Sequence, residues 1–381
     1  MLGMVYWQGS HAGVIPYHAD TAIKVATSAG TVFGQLVFGY LADLLGRKRM
    51  YGIELLIIIC GTLAQSLCAP SPAIGFVGIM VFWRTVMGIG VGGDYPMSAV
   101  ITSEMSDTRW RGGIIAAVFS MQGLGQFSAA MVALIVTFSY KDTLVKATSP
   151  GDCDAQCIKS VDVMWRILLG FGAIPGWFAL YYRLSIPETP RYTFDVKQDL
   201  EKATADARRF RLGLLGEGQT DNMARAQTKV DMRKYHRPPP TLGEFFRYFK
   251  KWKHLKTLIG TAGSWFFLDV AFYGLGLNTP TILSSIGFSS KGNVFEILKN
   301  LAVGQLVLTL AGAIPGYWLA IGFIDWLGRK SIQIGGFLIL TILFVIIGFG
   351  YNYLSQTALL VLYVLCQLFF NFGKLASNRL K

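Results

Sequence analysis

Long apolar runs recur along this chain, separated by polar connections. They fall at Ala26–Leu45, Tyr51–Ala69, Ile74–Val100, Ile114–Phe138, Ile167–Ile186, Leu258–Leu283, Leu301–Ile324 and Ile332–Gly350. Each is near or above the roughly 20 residues that carry an α-helix across a bilayer. The pattern predicts an all-α membrane protein with eight complete spans. A further run, Ala358–Phe372, reads as cut short, and Met1–Trp7 reads as an apolar stub.

Composition agrees with a lipid solvent. Of 381 residues, 52% are hydrophobic and 15% charged, whereas soluble domains carry about a quarter charged residues. A net charge of +13 would fit a nucleic-acid partner, but its placement argues against one. Sixteen Lys and Arg against nine Asp and Glu lie in the loop Pro187–Lys256. The basic short loops Arg47–Arg49, Arg109–Arg111 and Arg329–Lys330 alternate with the uncharged Pro70–Pro72 and Tyr351–Gln356 and the slightly acidic Ser139–Asp162. The positive-inside rule then puts every basic loop in the cytoplasm and the others outside, in a multi-pass protein. Met1–Trp7 is too short, and lacks the basic flank, to be a signal peptide. Cys60, Cys68 and Cys366 lie in apolar runs, while Cys153 and Cys157 share a polar loop and leave a disulfide open. The four His are scattered, so no metal site is expected. No nucleophile–base pair or nucleotide loop appears, and the Gly-rich Gly88–Gly93 lies inside an apolar helix, so neither an enzyme nor a cofactor is expected.

The loop 187–256 is the boundary between two apolar blocks. Within it Glu201–Arg211 reads as helical, Gly213–Gln219 as flexible linker, and Pro238–Pro240 as a break. The expected organisation is an N-terminal bundle over 1–186, the loop 187–256, a C-terminal bundle over 257–373 and a polar tail, 374–381. A D-x-x-G-R-K motif occurs once in each block, with Asp43, Gly46 and Arg47 in the first and Asp325, Gly328 and Arg329 in the second. Both copies fall on the cytoplasmic side, so the repeat is parallel, as in the two halves of major facilitator transporters. A glycine turn, an acid near a helix end and bases able to bridge to the neighbouring bundle suit a gate, or only a topological anchor.

Ionisable residues at membrane depth are expensive. Glu54, Arg84, Asp94 and Asp269 stand out, with Arg84 and Asp94 about 15 Å apart along one helix at 1.5 Å per residue. Beside Asp94, the small residues Gly88, Gly90, Gly92 and Gly93 read either as close helix packing or, with Pro96, as a loosened backbone lining a cavity. Trp265, Asp269 and Tyr273 are spaced i, i+4, i+8, which puts an indole, a carboxyl and a phenol in one stripe. Gln122 and Asn371 add neutral amides, one in each block.

The segment Gly92-Gly93-Asp94-Tyr95-Pro96-Met97-Ser98 through Glu104, with Met121–Gln126, Trp110–Gly112, Gly316–Trp318 and Leu362–Gln367, resembles the phosphate:proton symporters of fungi and plants, nearest the fungal high-affinity transporters. The broader motifs, Glu104 with Arg111-Gly112 and Pro187–Arg191, are shared with sugar porters. The resemblance implies a major facilitator fold in the plasma membrane, with inorganic phosphate and protons carried together. It implies a phosphate site between the halves, lined by Tyr95, Gln122, Trp265, Asp269, Tyr273 and Asn371. It assigns proton coupling to Asp94, Glu54 and Asp269 with Arg84, and the cytoplasmic gate to Asp43, Gly46, Arg47, Glu104, Arg111, Asp325, Gly328 and Arg329. Against the family pattern, most of the first helix is missing. After Gly373 the polar Lys374–Lys381 replaces further helices, so the expectation is a truncated chain that does not transport. A sugar porter and a non-transporting phosphate sensor are the alternatives, and oligomeric state is not legible.

Overall fold

The computed structural model describes residues 1–8, 13–106, 110–195, 242–288 and 292–374. The expected helix Glu201–Arg211, the linker Gly213–Gln219, Pro238–Pro240, Arg109 and the tail beyond Lys374 lie outside the described residues.

Helices account for nearly all that is described. A short α1 (Leu2–Tyr6) precedes α2 (Tyr17–Leu45), α3 (Arg47–Ser66), α4 (Phe76–Met105), α5 (Arg111–Ser139) and α6 (Ala155–Ser185, interrupted at Gly172). Then come α7 (Pro190–Asp195), α8 (Leu242–Phe249), α9 (Trp252–Gly276), α10 (Thr279–Ser285), α11 (Val294–Leu327), α12 (Arg329–Gly350) and α13 (Gln356–Lys374). Among the described residues eight helices are long and apolar enough to cross a membrane. They are not quite the expected eight. The run read as cut short is a full helix, α13, of 19 residues. The expected span at Tyr51–Ala69 is α3, which opens on three basic residues and encloses Glu54.

Most helices start earlier than the apolar runs, α4 (Phe76 against Ile74) being an exception, and in two of them charges near the start are neutralised locally. Asp20 pairs with Lys24 at 2.7 Å in the first turns of α2. In α6 Asp162 pairs with Arg166 at 2.9 Å, and Arg166 also donates to the Ser66 carbonyl. Proline sets two further boundaries. α9 stops at Gly276, short of the expected Leu283, since Pro280 has no N–H to continue the ladder and starts α10 instead. In α11 a wide π-helical stretch at Leu308–Ala313 precedes Pro315.

Close packing of α2 on α4 explains the glycines. A Cβ on Gly30 would run into the Thr85 carbonyl, one on Gly34 into that of Ile89, and those on Gly88 and Gly92 into Thr27 and Thr31. Small residues thus let two backbones touch. α4 is unbroken through Asp94, with Pro96 inside the helix, so packing rather than a loosened backbone is what these residues provide.

At one end of the molecule the connection between α5 and α6 reaches several elements. Cys153 and Cys157 form a disulfide there, buried among Met4, Leu144 and Val161. Ala147 accepts a backbone hydrogen bond from Val294 at 3.0 Å, tying the start of α11 to this connection. Hydroxyls of Ser149 and Thr148 donate to Asp152 and hold its carboxyl below the usual range.

Candidate functional site

Five polar side chains from four helices meet between the two halves of the chain. The approach of α5 to α11 begins at Gly123, where a Cβ would stand 2.9 Å from the Tyr317 ring. With no side chain there, Tyr317 is 1% exposed and its hydroxyl donates to Gln122 Oε1 at 3.1 Å. Tyr317 also neighbours the phenols of Tyr95 on α4 and Tyr273 on α9. Those two phenols are close electrostatic neighbours of each other, and Asp269, one turn before Tyr273, is a close electrostatic neighbour of both. The group is rich in neutral donors and holds one carboxyl. Such a set can surround a small anion that carries protons of its own, the carboxyl accepting a hydrogen bond when ionised or donating one when protonated.

Of the residues assigned to this site from the sequence, Tyr95, Gln122, Asp269 and Tyr273 are brought together. Trp265 is half-buried one turn before Asp269. Asn371 is buried and spends its amide on the Gln367 carbonyl of its own helix at 2.7 Å. Tyr317 was not among the expected residues. Its signal is a tyrosine in mid-span, away from the interfacial belts where tyrosine usually sits.

A second group lies behind Asp94, among α3, α4 and α6. Arg183 of α6 reaches Asp94 Oδ1 at 2.7 Å and Glu54 Oε1 at 3.3 Å, and its guanidinium lies 3.8 Å over the Tyr51 ring. Ser98 donates to Asp94 at 3.1 Å. Glu54 is fully buried, while the Asp94 side chain is 34% exposed. Arg84, which the resemblance groups with these acids, lies farther along α4. It donates to the Ile23 carbonyl at 3.0 Å, because ten residues of helix separate it from Asp94. Arg183 is the base that meets both acids, and the sequence does not single it out, since an arginine just before a basic loop reads as a topology anchor.

The third group is the end carrying the repeated motif. Arg47 pairs with Asp43 at 3.2 Å and Glu104 at 3.4 Å and lies over the Tyr192 ring. Glu188 accepts from Lys48 N at 3.2 Å, and Tyr192 donates to the Leu44 carbonyl. Burial beside Glu188 raises the Tyr192 phenol above its usual range. Arg111 is the first residue of α5, with a buried Nε. Asp325 accepts from Gly113 N at 3.3 Å, and both it and Arg329 lie beside Gly112. Among the described residues no His, Cys, Asp and Glu cluster could hold a metal ion.

Comparison with known proteins adds a second line of evidence. Residues 15–377 match the family described as sugar (and other) transporters. A repressible high-affinity phosphate permease of Neurospora crassa is 54% identical over 381 residues, covering 99% of this chain and 66% of the permease. An inorganic phosphate transporter of Saccharomyces cerevisiae is 50% identical over 378 residues, covering 98% of this chain and 64% of that one. The chain therefore spans about two thirds of the length of these curated relatives. Among solved structures, the xylose transporter of E. coli in a partially occluded inward-open conformation superposes with a TM-score of 0.68. The two are 17% identical, with 98% of this chain and 79% of the transporter covered. That likeness shows the major facilitator fold.

Proposed function

The chain belongs to the sugar (and other) transporter family, and from that membership we propose that it binds inorganic phosphate between its halves and carries it with protons across the plasma membrane. The observation that carries the reading is the group of Tyr95, Gln122, Asp269, Tyr273 and Tyr317, contributed by helices on both sides of the long loop. A site built from both halves is what alternating access needs, because rocking one half against the other exposes it to each side in turn. The relatives named as a phosphate permease and a phosphate transporter support the same substrate. Sugar transport is the rival within the family. An acid amid phenols favours the anion, since protonating Asp269 removes its repulsion of phosphate and so links proton binding to phosphate binding, whereas a sugar has no charge to couple. The basic connections at the end holding Arg47, Arg111 and Arg329 face the cytoplasm in this reading.

The test is equilibrium binding of labelled phosphate to the purified chain in lipid nanodiscs, with unlabelled phosphate, sulfate, xylose and glucose as competitors. Saturable binding displaced by phosphate and not by the sugars is expected. Displacement by a sugar at lower concentration than phosphate would assign the site to sugar transport instead. Uptake into proteoliposomes under an inward proton gradient then separates a carrier from a phosphate-binding sensor.

A further inference from the structure

We infer that Arg183 is a positioning residue of the proton-carrying group, the shared counter-ion that sets how many protons Asp94 and Glu54 hold between them. The inference rests on the transport reading above and extends it to a residue outside the phosphate site.

Arg183 stands within the last turn of α6, before the chain turns into the basic loop. An arginine there has an easy alternative, to extend its head toward the membrane surface and the water beyond. It does the opposite. The side chain is 15% exposed and turned inward, with Nη1 3.3 Å from Glu54, Nη2 2.7 Å from Asp94 and the Tyr51 carbonyl 3.4 Å away. The Tyr51 ring lies flat beneath the guanidinium at 3.8 Å, in cation–π range. A planar fork can bridge two carboxyls on different helices in a way that a point charge cannot.

The charges around the group are few. From α3 come Glu54 and the Tyr51 phenol, from α4 Asp94, and from α6 Arg183, while α2 contributes the uncharged Phe38 ring beside Gly93. With both acids ionised the group carries one net negative charge, and a single bound proton makes it neutral. The two acids differ in access. Asp94 is partly open and adjoins Tyr95, whereas Glu54 is sealed and is a close electrostatic neighbour of Asp94. Glu54 Oε2 is buried with no hydrogen-bond partner and faces Gly93, where a Cβ would be 2.9 Å from it. A buried carboxylate oxygen without a donor is costly, and a proton held by the pair removes that cost. Asp94 is then the open port, Glu54 the sealed store, and Arg183 the charge that lets one proton leave without stranding two facing carboxylates.

Removing the arginine leaves two facing acids, which hold their shared proton more tightly because ionising both is opposed. Infrared titration of the purified chain in nanodiscs, without phosphate, reads this through the buried carboxyl C=O band, assigned by its loss in Glu54→Gln and Asp94→Asn. In Arg183→Gln the band should persist to higher pH, with proton affinity raised at least about tenfold, that is, by a pH unit or more. Arg183→Lys, which keeps the charge without the bridging fork, should recover part of the native titration. An Arg183→Gln band titrating as in the native chain, or no recovery with lysine, overturns the inference. Should Arg183→Gln not fold, the double variant Glu54→Gln/Arg183→Gln should regain folding, because the stranded acid is gone, and failure to regain it also overturns the inference. Because the readout needs no phosphate, a chain that binds none would defeat the transport reading and leave this result standing.

Discussion

Asp325 Oδ2 accepts a hydrogen bond from the Gly113 backbone N at 3.3 Å, so the acid of the second D-x-x-G-R-K copy sits on the first turn of α5, in the other half of the chain. The corresponding acid of the first copy, Asp43, pairs with Arg47 on its own side. The repeat is alike in sequence and unlike in partner. Only the second copy, among these pairs, crosses between halves.

This contact should hold the two halves together at the motif end. An acid at a helix N-terminus satisfies an orphan N–H and meets the positive end of the dipole, worth about 1 kcal/mol. Asp325→Ala should therefore shift the balance between closed and open arrangements by roughly fivefold. Gly112→Ala should act in the same direction, since its Cβ would lie 2.5 Å from Asp325 Oδ1. Spin labels on α5 and α11 near that end should report a larger share of long distances in both variants. Native distributions in both would show that the hydrogen bond does not hold the halves.

The two motif glycines should differ in sensitivity although they match in sequence. Gly46 has φ 103° and Gly328 φ 78°, a region that strains any other L-residue, so each alanine should lose about 1 kcal/mol. At Gly46 the new Cβ would also stand 2.6 Å from Glu188 Oε2 and 3.3 Å from the Tyr192 ring, whereas around Gly328 the space is open. Gly46→Ala should thus lower the thermal midpoint in detergent distinctly more than Gly328→Ala. Equal shifts would mean that the contact with α7 yields freely.

The sequence carries the helices well and the polar partners poorly, for a physical reason. Apolar runs report lipid contact directly, so every expected span contains a helix. Its ends are blurred where charges neutralise each other, as at Asp20–Lys24 and Asp162–Arg166. An i, i+4 stripe such as Asp269 and Tyr273 is legible because both residues lie on one helix. Arg183 with Asp94, or Tyr317 with Gln122, joins residues far apart in the chain, and no periodicity records which helix faces which. The glycines near Asp94 were ambiguous for the same reason, since packing and looseness draw on the same small residues.

Tyr317 should matter to stability as well as to binding. Its hydroxyl is buried and donates to Gln122, so Tyr317→Phe removes one hydrogen bond and leaves the amide oxygen short of a donor. The expected loss is about 1–3 kcal/mol of stability, the cost of an unsatisfied buried group. Phosphate affinity in nanodiscs should fall as well. A variant with native stability and native affinity would place Tyr317 outside the site.

Orientation in the membrane can be tested at two exposed positions. Tyr353, between α12 and α13, is 91% exposed, and Trp326, at the motif end of α11, is 78% exposed. With native cysteines replaced by serine, Tyr353→Cys should react with an impermeant thiol reagent on intact cells. Trp326→Cys should react only after permeabilisation. The reverse pattern would invert the topology inferred from the basic loops.

The last prediction concerns the carboxyl between the phenols. Asp269 neighbours Tyr95 and Tyr273, so its charge bears directly on whatever anion they hold. Ionised, it repels phosphate, and protonated, it donates a hydrogen bond. Phosphate should therefore bind the native chain more tightly as pH falls. Asp269→Asn keeps the shape and a donor but cannot change charge, so binding should survive and most of its pH dependence should vanish. Phosphate's own ionisation contributes a background that is common to both proteins, and comparing their affinities at each pH removes it. The ratio of native to variant affinity should rise toward acid and fall toward alkaline pH. A flat ratio would take the coupling away from Asp269 and leave it to Asp94 and Glu54, where the Arg183 variants give an independent reading.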